Sequence, residues 1–134
     1  MPSGKSPPVR FSTALLRALD AAKIIGVRAG ARSDHHFTGI WPVVVDGRLF
    51  GRSWSMRPGG WNATFRTERV GTIQVGERRV RVSARAVRSE RLLDAIEAAY
   101  AAKYPTPASR VWVQGFRSKR RRASTLEFIP GTGR

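Results

Sequence analysis

Residues 38–87, TGIWPVVVDGRLFGRSWSMRPGGWNATFRTERVGTIQVGERRVRVSARAV, decide the fold of this chain. Apolar, β-branched residues flank Asp46-Gly47, which is a strong signal for a tight hairpin turn because glycine accepts a positive φ. A second hairpin is predicted around Gly76-Glu77, where apolar and polar residues alternate with period two. The loop that joins the hairpins, residues 52–69, is rich in Arg, Ser, Gly and Trp. Because loops on a rigid sheet commonly carry binding side chains, function is expected there.

The rest of the chain is predicted to complete an antiparallel barrel around these hairpins. A returning strand near the C-terminus is expected to close an otherwise open edge, so the pattern predicts a β-dominated α+β fold built on an antiparallel barrel. One domain is expected over residues 11–130, with flexible tails at 1–10 and 131–134. The predicted strands are 23–28, 38–45, 48–54, 72–75, 80–84 and 125–129. The predicted helices are 12–23, 89–104 and a short one from Ser109 into 117–122, with one or two helical turns over 60–68.

The amino-acid composition excludes some kinds of functional site and favours anionic ligands. The chain has no Cys, which excludes disulfides, thiolate metal sites and cysteine nucleophiles. Its 25 Lys and Arg against nine Asp and Glu give a net charge of +16, which attracts anions such as nucleic acid or a phosphorylated ligand. The alternative is that the arginines are a compositional habit and are simply solvated. With no long apolar run and no signal peptide, a cytoplasmic protein is expected.

No self-sufficient catalytic machinery is apparent in the sequence. The acidic residues are scattered, and neither a Walker loop nor a dinucleotide fingerprint is present. His35 and His36 are the only histidines, and as neighbours in a loop they are not expected to bind one metal ion together. No metal site is therefore predicted.

Two loops concentrate groups that bind anions. Residues 28–34 combine two arginines, a serine and a glycine, and residues 52–61 combine arginines, serines, glycines and two tryptophans. Arg forks suit phosphate oxygens, glycine lets backbone N–H groups approach, and a Trp face covers a flat ring. Both loops are expected at the same end of the first hairpin, as a site for a phosphorylated planar ligand. In the alternative interpretation, Trp54 and Trp61 only pack the end of the barrel.

Five segments carry a family resemblance: IWPVVVDGRLFGRS, GGWNATF, GTIQVGERRV, LLDAIEAAYAAKY and STLEFIP. Over about residues 15–130 the chain resembles the bacterial domain-of-unknown-function family twenty-two fifty-five. That family has no assigned activity, so this resemblance implies none for the chain. More distantly, the order of elements looks like the deazaflavin-dependent nitroreductases and the flavin-mononucleotide-binding split barrels. The resemblance implies a split β-barrel of about six strands with an N-terminal helix and one or two C-terminal helices, and a homodimer.

The distant resemblance also implies a cofactor, FMN or coenzyme F420, and a reductase that borrows its hydride chemistry. The first loop departs from the Gly-Arg-Lys-Ser-Gly type of run that those reductases use. Tyr100 or Tyr104 could supply a proton, although tyrosines on a helix face commonly belong to the core. The matching cofactor-binding positions are Arg28, Arg32, Ser33, Arg52, Ser53, Ser55 and Trp61.

Two other functions stay open. A nucleic-acid or polyanion-binding module would use the basic run near the C-terminus, with Trp112 and Phe116 just upstream for stacking on bases. Alternatively, that run is a solvated helix end whose cations complement the helix dipole. The third hypothesis is a cofactor-free binding or scaffold protein that keeps the barrel. The residues of the basic run are Arg117, Lys119, Arg120, Arg121 and Arg122.

Overall fold

The structure is a computed structural model that describes residues 10–30, 36–55 and 57–131. Seven antiparallel strands form one sheet that curls into a nearly closed barrel, which confirms the β-dominated α+β class. The strands are β1 Ile25–Ala29, β2 Thr38–Ile40, β3 Pro42–Val45, β4 Arg48–Gly51, β5 Val70–Val75, β6 Arg78–Ala86 and β7 Leu126–Pro130. The helices are α1 Thr13–Ala21, α2 Trp61–Glu68, α3 Glu90–Lys103, α4 Pro107–Gly115 and α5 Lys119–Arg122.

Both predicted hairpins form. In the first, Asp46 and Gly47 have φ of 54° and 72°, the two positive values that a tight turn between twisted strands requires. In the second, β5 and β6 pair in register from Val75 with Arg78 to Val70 with Ser83. The closing strand β7 pairs with β6 on one side and with β4 on the other, so it joins the two hairpins into one sheet.

The barrel has seven strands rather than six because the predicted strand 38–45 is broken at Trp41. Residues before the break form β2, which pairs with β1, whereas residues after it form β3, which pairs with β4. The strand order β2-β1-β5-β6-β7-β4-β3 therefore places two consecutive pieces of chain at opposite edges of the sheet. Pro42 lacks an N–H for a ladder and restricts the residue before it, so the break falls where the chain can change partners.

Two apolar cores lie on opposite sides of the β3–β4 hairpin. Leu49 belongs to the core that fills the barrel and is covered by α1, and its neighbour Phe50 belongs to the core beneath α3 and α4. Adjacent residues of a strand point to opposite faces, so this one hairpin serves both layers. Helix α3 packs its buried Leu93, Ile96 and Tyr100 against that second face.

Helix ends agree with local capping rules. Side-chain oxygens of Ser12, Ser89 and Thr106 accept N–H groups at the starts of α1, α3 and α4, as N-cap residues do. The C-terminal helical region is two helices rather than one continuous run, because Ser118 caps a new turn at α5. The predicted tails lie almost wholly outside the described residues, which include only Arg10 and Gly131 of them.

Candidate functional site

One end of the barrel contains a cavity of about 700 Å³. Its walls come from β1, β2, the loop after β4, the start of α2, and α4 with the residue that follows it. All four tryptophans of the chain line this cavity: Trp41, Trp54, Trp61 and Trp112. The volume is in the range of small-molecule sites, which are typically about 300–1,000 Å³.

The tryptophans form two walls. On one side, Trp54 meets the Trp112 ring edge-on at 4.7 Å between centroids and meets Phe116 at 5.9 Å, and Phe116 in turn lies 6.3 Å from Trp41. Trp54 and Trp112 stay 39% and 48% exposed, although Trp is highly buried on average. This wall therefore presents aromatic surface to the cavity instead of hiding it in a core.

Trp61 forms the other side and is anchored in the barrel. Its ring lies 6.3 Å from Phe65 and 6.2 Å from Phe128, both of which belong to the barrel core. It is the first residue of α2, which follows Gly60, an N-cap residue without a side chain to bond the first N–H groups. Gly59, Gly60 and Thr64 also line the cavity, so the start of this helix, with its partial positive charge, borders the cavity.

The charged groups at the cavity are cationic. Arg28 lines it with its guanidinium 4.4 Å from the centre of the Phe37 ring, and Arg57 lines it as an exposed side chain. Among the described residues, His36 and the buried Arg52 also line the space. Among the described residues no Asp or Glu lines the cavity. This surface favours an anion and offers flat faces to a ring.

Arg52, predicted as a phosphate anchor, has a different environment. Its side chain is fully buried, and its Nε donates to the Thr125 hydroxyl at 2.7 Å. The two terminal nitrogens donate to the carbonyl oxygens of Phe116 and Leu93 at 3.1 and 3.2 Å, and one lies 3.4 Å from a Glu97 carboxylate oxygen. Burial lowers the pKa of Arg52, partly offset by Glu97. These contacts tie β4 to α3, α4 and β7 and leave the guanidinium no exposed face for a ligand.

The serines of the second loop also differ from one another. Ser53 is buried: its N–H donates to the Ser124 hydroxyl at 2.8 Å and its own hydroxyl donates to the carbonyl oxygen of Ser55. Ser55 is exposed at the cavity wall, where its hydroxyl can meet a ligand. Ser53 therefore shapes the loop, and Ser55 is the better placed of the two for contact.

The structure brings five of the seven predicted cofactor positions to one cavity. Arg28 from the first loop and Arg52, Ser53, Ser55 and Trp61 from the second all line it. Arg32 and Ser33 lie outside the described residues. The cavity also contains Arg57, which lies within the predicted loop 52–61, and Trp41, Trp112 and Phe116, which sequence reasoning did not assign to it. Trp112 and Phe116 are four residues apart, a spacing that places them on one helix face and was the available signal.

The two tyrosines considered as proton donors are held away from the cavity lining. The Tyr100 hydroxyl donates to the Trp41 carbonyl at 2.7 Å and accepts the Arg52 N–H at 3.0 Å. The Tyr104 hydroxyl donates to the Lys23 carbonyl at 2.8 Å. Burial raises the pKa of both phenols above the ordinary value. Their geometry is that of hydrogen-bonded core tyrosines that brace the broken strand.

The basic run divides into paired and exposed residues. Arg122 donates to carboxylates of Glu90, Asp94 and Glu97 on α3, and these bonds raise its pKa. The Arg121 guanidinium stacks on the Trp54 ring at 3.5 Å and donates from Nε to the Trp54 carbonyl at 3.0 Å. Arg117, Lys119 and Arg120 are exposed, with Arg117 3.8 Å from Glu97.

Two further observations concern the part of the chain that the structure describes. It contains no group of three or more His, Cys, Asp or Glu side chains arranged to hold a metal ion. None of its helices combines the length and apolarity needed to cross a membrane.

Fold and cavity together define a small split-barrel protein with an aromatic, cationic pocket at one end. The chain belongs to the bacterial family described as "Uncharacterized protein conserved in bacteria (DUF2255)", which matches residues 15–128. No curated protein matches the sequence.

Solved structures of two bacterial proteins are similar to this chain. One is a conserved hypothetical protein of Mycobacterium tuberculosis, Rv2991, with a TM-score of 0.59 and 14% identity over 98% of this chain and 86% of that one. Another is a Corynebacterium glutamicum protein provisionally assigned as a pyridoxamine 5'-phosphate oxidase, with a TM-score of 0.46 and 18% identity over 96% and 92%. At 14% identity, the mycobacterial likeness shows the fold.

Proposed function

We propose that the cavity binds a phosphorylated planar aromatic ligand of the flavin or deazaflavin type. The observation that carries the proposal is that all four tryptophans of the chain line one cavity whose described charged residues are all basic. Trp is usually spread through cores, so its concentration on an open cavity is a feature of ligand sites. FMN and coenzyme F420 both combine a flat ring with an anionic side chain.

The lining residues fit such a group by their chemistry. Trp54 and Trp112 on one side and Trp61 on the other supply the flat apolar faces for a ring. Arg28 and Arg57, with the start of α2, give the lining a positive charge, which suits an anionic ligand. Ser55 adds a hydroxyl. Arg52 and Ser53 support the site from behind and are not among its ligand donors.

A bound flavin or deazaflavin would supply hydride transfer, and the protein would bind and orient it. The aromatic walls would exclude water from the ring, and the arginines would fix its charged end. With Tyr100 and Tyr104 committed to backbone carbonyls, the described part of the cavity wall offers His36 as its titratable proton carrier. An oxidoreductase is the activity that this arrangement favours.

Titration with FMN and with coenzyme F420 tests the proposal, because the cavity tryptophans make intrinsic fluorescence a direct reporter. We expect tryptophan emission and ligand fluorescence to be quenched together with micromolar affinity. Arg28→Gln should weaken the affinity about tenfold, as expected for loss of one charge-assisted hydrogen bond. The matched control is Arg91→Gln, an exposed arginine on α3 away from the cavity. Affinity no better than millimolar for both ligands would overturn the proposal.

Polyanion binding is the second candidate, and the exposure of Lys119, Arg120 and Trp112 on neighbouring surface favours it. Single- and double-stranded oligonucleotides in a salt series test it, since phosphate contacts make affinity fall steeply with salt. Lys119→Gln should reduce both the affinity and the salt slope. Affinity that is independent of salt, or no binding at low salt, would contradict it.

A further inference from the structure

A second cavity, of about 480 Å³, adjoins the aromatic one. The two cavities share three residues, Trp54, Ser55 and Arg57, so a ligand can extend from one into the other without crossing a wall of core. The remaining lining comes from the segment around α5: Ser118, Arg120 and Arg121.

The chemistry of the second cavity is different from that of the first. Three of its six lining residues are arginines and two are serines, and no acidic residue is among them. None of the three arginines forms a salt bridge to a described acidic residue. Guanidinium groups without an acid partner, close to hydroxyls, form a site for phosphate or carboxylate oxygens.

Arg121 has a defined place in this arrangement. Its Nε bonds the Trp54 carbonyl at 3.0 Å and its guanidinium covers the Trp54 ring at 3.5 Å. One face of the guanidinium therefore supports the ring that both cavities share, and one terminal nitrogen has no bonded partner among the described residues. A stacked arginine loses little further freedom when it binds an oxyanion, because its planar fork is already positioned.

We infer that the second cavity holds the anionic end of the ligand whose ring occupies the aromatic cavity, through Arg57, Arg120 and Arg121. This inference rests on the proposed function and adds the polarity of binding: ring toward Trp61, oxyanion toward α5. It also gives a role to two residues of the basic run that form no salt bridge to a described acidic residue. Arg120 and Arg121 would complete a small-molecule site instead of forming only an exposed charged surface.

Matched pairs of ligands test this polarity. Riboflavin and FMN have the same ring and differ by one phosphate, and the deazaflavin chromophore can be compared with coenzyme F420 in the same way. At low ionic strength, where exposed charges are least screened, we expect the phosphorylated member of a pair to bind at least tenfold more tightly. Inorganic phosphate should compete with FMN and leave riboflavin binding unchanged.

Arg120→Gln is the decisive variant because Arg120 lines only the second cavity. It should lower FMN affinity about fivefold to tenfold and leave riboflavin affinity unchanged. Arg110→Gln, an exposed arginine on α4 outside both cavities, is the matched control. Arg121 is avoided as a test position since its loss would also disturb Trp54.

The outcomes separate the two proposals. Equal binding of riboflavin and FMN, with no effect of Arg120→Gln on either, would overturn the second subsite while the aromatic cavity stands. A parallel loss of both ligands in Arg120→Gln would also overturn it, because the residue would then act on the ring. Failure of every ligand in both pairs to bind would overturn the proposed function itself, and the subsite with it.

Discussion

Two groups of arginines in this protein have different environments, which the sequence does not distinguish. One group, Arg48, Arg52, Arg85 and Arg122, pairs with carboxylates within the fold. The other group, Arg28, Arg57, Arg120 and Arg121, lines the two cavities and forms no salt bridge to a described acidic residue. The nine acidic residues are too few for 25 basic ones. Where the acids lie therefore decides which arginines stabilise the fold and which are available to a ligand.

The largest difference between the two groups of arginines is expected in the free energy of unfolding, when Arg52 is substituted. Arg52→Met keeps the length of the side chain but leaves the Thr125 hydroxyl and the carbonyls of Phe116 and Leu93 without their donors. Because breaking one partner of a buried ionic cluster leaves the others uncompensated, we expect the free energy of unfolding to fall by about 3–5 kcal/mol. Urea denaturation followed by far-UV circular dichroism measures it.

Arg57→Met is the control for that prediction, since Arg57 is an exposed cavity arginine. Its unfolding free energy should stay within about 0.5 kcal/mol of the unmodified protein. Similar losses in both variants would show that burial and pairing do not separate the two groups.

The next largest effect on stability is expected at Glu127, the carboxylate that pairs with Arg48 and Arg85. It is buried, and it accepts two bonds from Arg48 at 2.8 and 2.9 Å and one from Arg85 at 3.1 Å. Burial alone would raise the pKa of Glu127, but the bonds and charges of the two arginines outweigh it and lower that pKa below 4.5. The folded state thus favours the ionised form, and stability should fall as pH drops from about 4.5 through the folded pKa.

Glu127→Gln should remove this acid dependence. At neutral pH we expect a loss of about 1–3 kcal/mol, because two guanidinium groups lose a charged acceptor. Urea denaturation at a series of pH values from 7 to 3 tests it, with the exposed Glu77→Gln in the β5–β6 turn as the control. Identical acid limbs for Glu127→Gln and the unmodified protein would contradict the assignment.

A half-buried cation that contacts no carboxylate of a described residue, Lys103, extends the comparison. The Lys103 ammonium donates to the carbonyl oxygens of Pro42 at 2.9 Å and Leu19 at 3.3 Å. Burial lowers the pKa of Lys103 to about 8, with Asp20 acting in the opposite direction and Lys23 in the same one. The unfolded state then holds the proton more tightly, so stability should rise with pH above about 8.

We expect that rise to be on the order of 1 kcal/mol between pH 7 and 9.5, reduced by the partial exposure of the side chain. Thermal or urea unfolding over this range measures it, below the pH at which tyrosines ionise. Lys103→Met should flatten the curve and Lys119→Met, an exposed lysine on α5, should not. Parallel curves for Lys103→Met and the unmodified protein would refute the predicted titration.

Periodicity and turn chemistry predicted most of the fold. The Asp46-Gly47 and Gly76-Glu77 hairpins, the long helix and the closing strand could be predicted because each depends on residues near one another in sequence. The break at Trp41 was missed because apolar residues continue on both sides of it, although Pro42 was a signal. The change of partner at that point depends on which edge each half meets, and local pattern does not contain this.

The cavity was predictable in part for the same reason. Loops next to the first hairpin had to lie near its end, so the sequence could predict that Arg28, Ser55 and Trp61 lie close together. The contribution of Trp112 and Phe116 depends on how α4 packs against the barrel, which is a long-range contact. The burial of Arg52 depends on Thr125 and on α3 more than 40 residues away, so its residue type suggested a ligand contact where the structure has an internal one.

The smallest expected effect on stability concerns the cavity wall at Gly115. A Cβ added there would meet the far end of the Trp54 ring, so the glycine leaves room for that ring to lie against α4. Because Trp54 is 39% exposed, Gly115→Ala should displace the ring rather than unfold the protein, with a stability change within about 1 kcal/mol. The near-UV circular dichroism of the Trp54–Trp112 contact should decrease, and FMN affinity should fall severalfold. Gln114→Ala, an exposed neighbour on the same helix, is the control. An unchanged near-UV spectrum in Gly115→Ala would mean that α4 does not position this wall. The contrast between a rigid, paired scaffold and an adjustable cavity surface would then not extend to the tryptophans.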